Sequence, residues 1–141
     1  MALVPEYGLV DEKPDEEIAL DIYDILKGIK DPERPETLEE LQVLTEESVQ
    51  VKKLSKSLLH TVVTFVPTVP HCSLASLIGL CIREKLKRSL PHRIKVNIYV
   101  KEGSHSAEED VNKQINDKER VAAALENPSL LELIDSCIED R

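Results

Sequence analysis

The sequence predicts an α+β domain: a small mixed sheet, built from an antiparallel hairpin and a strand–helix–strand crossover, with helices mainly on one face and a C-terminal helical block. Three observations predict it. Apolar residues recur at helical spacing in two separated stretches, 14–30 and 72–90. Runs rich in β-branched residues stand between and after them, at Val49–Leu54, Ser57–Val66 and Arg93–Lys101. The last two of these runs flank the second helical stretch, the order of a right-handed crossover that leaves its strands parallel.

Each element has its own justification. Residues 1–13 lack periodicity and are expected to be a mobile acidic arm, so the single domain is placed at 14–141. Ile18, Ile22, Ile25 and Ile29 make one apolar helix stripe, with acids at its start where the helix dipole favours them. Gly28 and then "DPERPE" end that helix, because each proline biases the preceding residue away from helical angles. "LQVL" (Leu41–Leu44) reads as a short strand. The Leu54–Ser57 link is short enough to join the next two strands as a hairpin, and "PTVP" stops the second. Leu74, Leu77, Ile78, Cys81, Ile82 and Leu86 follow the spacing of a buried helix face, ended by Pro91. Ile94, Val96, Ile98 and Val100 alternate with Lys95, Asn97, Tyr99 and Lys101, the pattern of a half-buried strand. C-terminal helices are expected over 106–139. The first opens at a Ser106/Glu109 capping box and carries a narrow stripe of Val111, Ile115, Ala122 and Leu125. The last opens at Asn127-Pro128 and turns Leu130, Ile134, Cys137 and Ile138 inward.

Composition narrows the function classes. At 141 residues the chain is long enough for a core without metal or disulfide staples, and three cysteines at unrelated spacings are no disulfide framework. With only 3% aromatic residues, Leu, Ile and Val must build that core. A net charge of −9 argues against nucleic acid, and the absence of any long apolar run against a membrane span. Charge is uneven. Residues 1–47 hold fifteen acids against four bases, a balance of −11, whereas Arg83 to Lys95 holds six bases against Glu84, or +5. That basic stretch is either a solvated helix face and strand edge or a patch for an acidic protein partner.

No phosphate loop, CxxC, HExxH or G-x-S-x-G occurs, so the common enzyme signatures have no support. The cysteines differ in setting. Cys81 and Cys137 lie on apolar stripes and read as buried thiols. Cys72 falls near the cap of its helix, set to begin at about Ser73. Unpaired backbone N–H groups there favour a thiolate, and His71 stands ready as base or co-ligand. From the residues alone, Cys72 is either a reactive thiol or a plain cap in a strand-to-helix turn. "DPERP" is likewise either a helix stop or a source of two carboxylates, Asp31 and Glu33, beside that thiol. His105, in "GSHSAEE", is a candidate metal ligand together with Cys72.

"DPERPETLEELQVL", "FVPTVPHCSLASLIGLCIREKL" and "NKQINDKERVAAALEN" resemble the eukaryotic cytosolic iron–sulfur assembly component 2 proteins, whose domain is similar to bacterial SufT and PaaD proteins. The likeness covers roughly residues 15–138, and "GLCIREKLKR" places it closest to the A branch. The resemblance implies a non-enzymatic adaptor, cytoplasmic and also nuclear. Such a factor pairs with a WD-repeat propeller subunit and helps deliver clusters to apo iron–sulfur client proteins; B-branch members add a helical-repeat adaptor and a tie to chromosome segregation. It maps the family's motif cysteine onto Cys72 and its motif acid onto Glu33. It assigns partner contacts to Asn112, Lys113, Gln114, Asn116, Asp117, Lys118, Glu119 and Arg120, and implies a homodimer, formed by domain swapping. No cofactor is expected to bind stably; an iron–sulfur cluster is expected to bind only in passing, since one thiol is too few ligands to hold it. Two other readings stand beside this one: a thiol enzyme or redox sensor using Cys72 with His71, and a zinc domain using Cys72 and histidines.

Overall fold

The computed structural model describes residues 14–32, 34–55, 58–67, 72–90, 93–101 and 108–138; at 72–74, 93 and 108–110 it describes the backbone alone. Helix α1 (Asp15–Leu26) opens with Asp15, Glu16 and Glu17 in its first turn and buries Ile18, Ile22, Tyr23 and Leu26. The helix stops at Leu26, before Gly28, where the Lys27 N–H closes the last turn on the Tyr23 carbonyl.

The following loop folds back on itself. Leu38 N–H donates to the Ile29 carbonyl (2.8 Å) and Asp31 N–H to the Glu36 carbonyl (3.0 Å), with one bridge between Lys30 and Thr37. The strand expected at Leu41–Leu44 is instead a turn. Gln42 takes a positive φ of 59°, outside the extended region, and Val43 N–H returns to the Leu38 carbonyl. Val43 and Leu44, adjacent in sequence, are both buried. A strand would send them to opposite faces, so their apolar character here serves to plug the core rather than to build a ladder.

Strands β1 (Val49–Ser55) and β2 (Leu58–Phe65) pair antiparallel, from Val49↔Val63 to Lys53↔Leu59, with an irregularity between Lys53 and Ser55. β3 (Arg93–Val100) pairs parallel with β2, Leu58↔Arg93 through Phe65↔Val100, and the order is β1-β2-β3. The predicted hairpin and crossover are therefore both present. Leu59, Thr61, Val63 and Phe65 are buried on alternate positions of β2, with Ile98 and Val100 beside them on β3. This face carries the helices, and the opposite one shows Lys95 and Tyr99 exposed.

Helix α2 (Cys72–Ser89) returns across that face and buries Ala75, Ile78, Cys81, Ile82 and Leu86 completely. Glycine at mid-helix costs about 1 kcal/mol relative to alanine, and Gly79 has a reason to be there. A Cβ at that position would stand 2.8 Å from the Ile115 Cγ2 of the next helix.

Among the described residues the C-terminal block is three helices: α3 (Glu108–Asn116), α4 (Lys118–Leu125) and α5 (Pro128–Ile138). The sequence reading ran one stripe through the first two. The chain breaks between them because Asp117 caps α4, its side chain accepting from Glu119 and Arg120 N–H. Val111 and Ile115 are thus fully buried, while Ala122 lies exposed and Leu125 half-buried. Asn127 caps α5 as expected, taking the Ser129 and Leu130 N–H groups. The Ser106/Glu109 capping box lies outside the described residues.

Candidate functional site

The parallel pair decides where chemistry is best placed. β2 and β3 end side by side, and the Lys101 N–H donates to the Phe65 carbonyl at 2.8 Å. The chain enters α2 from that same carboxyl edge, so Cys72, the first residue of α2, marks it. Crevices at the carboxyl ends of parallel strands are where such sheets hold ligands. The helix starts one residue earlier than the sequence reading set it, which makes Cys72 the first helical residue rather than the cap. It remains within the turn whose N–H groups lack intrahelical acceptors. His71, Glu33 and His105 lie outside the described residues, as does the Cys72 side chain.

Asp31 is buried, and its charge is felt at Cys81 and Cys137. Cys81 stands nine residues after Cys72, about 13.5 Å along the helix axis and half a circle around it. The other two thiols, both buried as expected, face each other across the α2–α5 contact. The neighbouring Cys137 side chain, then burial, pushes the Cys81 thiol up. Sequence reasoning placed each on an inward stripe but had no signal that the stripes meet there.

The block assigned to partners divides in two. Asn112 and Asn116, one turn apart, bind the outer edge of β3. Asn116 Oδ1 accepts from Ile98 N–H (2.9 Å), its Nδ2 donates to the Ile98 carbonyl (2.6 Å), and Asn112 Oδ1 accepts from Val100 N–H (2.7 Å). Two amides thus satisfy the backbone groups that a fourth strand would take. Gln114 accepts from the Ser76 hydroxyl at 2.8 Å, and Asp117 caps α4. Lys113, Lys118, Glu119 and Arg120 are exposed. Arg120 borders a groove of about 530 Å³ floored by Leu77, Leu80, Ile115, Ala124 and Leu130.

The basic stretch from Arg83 is largely turned to internal bonds, which neither sequence reading of it anticipated. Arg83 donates to the Ile115 and Val96 carbonyls and to Asn116 Oδ1, and burial lowers its pKa. Lys85 donates to the Ile138 carbonyl (2.9 Å), and Arg88 bridges Glu84 and Asp135. Lys87 and Lys95 are exposed. Among the described residues no group of three or more His, Cys, Asp or Glu side chains is arranged to hold a metal ion, and no helix is long and apolar enough to cross a membrane.

A family model described as iron–sulfur cluster assembly protein matches residues 20–100, from α1 through β3 and across Cys72. The chain belongs to this family. Curated relatives extend the likeness into the C-terminal helices. The MIP18 family protein galla-1 of Drosophila melanogaster is 54% identical over 140 residues, covering 99% of this chain and 63% of its own length. Protein AE7 of Arabidopsis thaliana is 55% identical over 132 residues, covering 93% of this chain and 82% of its own. Cytosolic iron-sulfur assembly component 2B of Mus musculus is 49% identical over 131 residues, 93% of this chain and 78% of its own. The chain thus spans a little under two thirds of the fly protein and about four fifths of the other two. As the resemblance implied, the family is that of cluster assembly, and its fold is the α+β arrangement described above.

Proposed function

We propose that this chain is a non-catalytic adaptor of cytosolic iron–sulfur cluster assembly, helping to deliver clusters to cytosolic and nuclear apo-proteins. Cys72 is the thiol that meets the cluster or the client. The observation that supports this most is its position: it opens α2 at the carboxyl edge of the parallel pair, inside the segment matched by the family model. Backbone N–H groups of a first helical turn favour the thiolate, the form that ligates iron. One thiolate of the usual four makes the cluster cargo rather than a resident group. The Mus musculus relative's name, cytosolic iron-sulfur assembly component 2B, supports the same pathway. The exposed face of α3 and α4, with Lys113, Lys118, Glu119 and Arg120, is the docking surface for a WD-repeat propeller subunit.

Affinity purification of the wild-type chain beside Cys72→Ala tests the reading. Both should retain a propeller protein, and Cys72→Ala should lower the cluster content of apo-protein clients several-fold. A chain that purifies alone, or a Cys72→Ala chain that supports full client maturation, would overturn it. The first outcome is the one expected of a free-standing thiol enzyme.

A further inference from the structure

We infer that the outer face of the sheet is a docking surface for an acidic segment of a partner protein, gripped by Lys52 and Lys95 on either side of His60. The inference goes beyond the proposed function, whose Cys72 and α3–α4 surface take no part in it.

Strand register builds this surface. Side chains alternate between the two faces of a strand, so Lys52, His60 and Lys95, paired across β1, β2 and β3, stand in one row on the face away from the core. Gln50, Val62 and Asn97 form the next row. Lys52 and Lys95 are exposed, and neither ammonium has a partner among the described residues. Two strand spacings separate them, about 10 Å. Between the rows His60 Nε2 donates to Asn97 Oδ1 at 2.8 Å, which occupies the amide oxygen and leaves the Asn97 Nδ2 hydrogens to donate. Of the basic stretch that starts at Arg83, Lys95 supplies this row, and Lys52 joins it from a distant strand.

Two observations select the occupant. The chain carries a net charge of −9, yet no described strand residue on this face is acidic. The face offers ammonium and amide donors, and an ionised carboxylate is an acceptor only, so the two are complementary. The second observation is that β2 and β3 run parallel, and parallel strands are normally covered on both faces. Here Leu58, His60, Val62 and Thr64 are only half-buried, and Leu54 and Tyr99 are 49% and 37% exposed. Apolar surface beside the lysines gives a protein segment something to bury as well as something to pair with. A nucleic acid, with its dense and continuous charge, would meet the repulsion of the chain's many acids. A short acidic stretch confined to the row would not. It needs two carboxylates about 10 Å apart, one for each lysine.

The test is a titration of a fluorescein-labelled decaglutamate peptide with the full chain in low-salt buffer, read by fluorescence anisotropy. Binding should saturate and should weaken as salt is added. Lys95→Glu should lower the affinity about fivefold, and Lys52→Glu with Lys95→Glu more than tenfold. The neutral pair Lys52→Gln with Lys95→Gln should also weaken binding, by less, and these exposed changes should leave Tm nearly unaltered. Lys87→Glu changes the net charge as much as Lys95→Glu, but from the exposed surface of α2, and should move the affinity less than about twofold. The inference fails if decaglutamate does not bind, if Lys87→Glu weakens it as much as Lys95→Glu does, or if a labelled oligothymidylate binds as tightly. It fails too if the lysine variants change the oligomeric state instead, since the face would then join copies of this chain.

Discussion

Asn116→Ala should be among the most damaging single changes in the C-terminal block, although the residue sits on a half-exposed helix. Its amide accepts from Ile98 N–H and Arg83 Nη2, both at 2.9 Å, and donates to the Ile98 and Asn112 carbonyls at 2.6 and 2.8 Å. Ile98 is completely buried. Truncation leaves one buried backbone donor and one acceptor without partners, at about 1–3 kcal/mol each. Arg83, freed on one side, can recover part of this, so the expected loss is about 3 kcal/mol. With a urea m-value of roughly 2 kcal/mol/M, the midpoint should fall by about 1.5 M. Asn116→Asp keeps the acceptor facing Ile98 N–H and Arg83 while losing the donor, and should cost less. Urea unfolding of the three proteins decides it. A loss under about 0.5 kcal/mol for Asn116→Ala would show that the amide does not carry the edge of β3, since surface substitutions away from such features stay within that range.

Gly79→Ala gains helix propensity but drives a methyl to 2.8 Å from Ile115 Cγ2, so a net loss of about 1–2 kcal/mol is expected in thermal melts; adding Ile115→Val, which removes Cδ1 but keeps Cγ2, should restore only a small part of it. Burial, then the hydrogen bond to Glu39, raises the Tyr23 phenol to about 12 from 10.0. A raised folded pKa gives stability that is present below pH 10 and lost as pH climbs to about 12, so Tyr23→Phe should flatten that decline relative to wild type and remove the late step in phenolate absorbance. Reversing Lys118 and Arg120 to Glu places acids in the first turn of α4, which the helix dipole favours, so Tm should hold. Binding of the propeller partner should weaken at least tenfold in a pull-down titration, and unchanged binding would remove this surface from the proposed interface.

Periodicity made most of the fold legible. The Ile78/Cys81/Ile82/Leu86 stripe and the alternation of β2 are buried where the pattern put them, because a repeat of 3.6 or 2 states directly which side chains share a face. Short apolar runs carry no such statement, and Leu41–Leu44 was misread as a strand for that reason. The Val111–Leu125 stripe failed differently: a capping aspartate, Asp117, resets the helix phase, and the asparagines around it read as surface residues although they bind a strand edge. Gly79 did leave a trace, a helix-interior glycine, but nothing in sequence names Ile115 as its neighbour. The position of Cys72 at the start of α2 was legible to within one residue, whereas how α5 docks on α2 is a long-range matter that no local pattern encodes.

The hydrogen bond from Lys30 to Cys137 joins residues more than one hundred positions apart. Together with Lys85 reaching Ile138, it makes the docking of α5 a long-range event that local helix formation cannot complete. Loop-closure entropy has to be met before those contacts stabilise anything, so the sheet and α2 should assemble first and α5 should seat last. A nascent chain would then pass through a stage in which α1–β3 is formed and the Ile134 and Cys137 seats lie open, the interval in which a chaperone has most to cover.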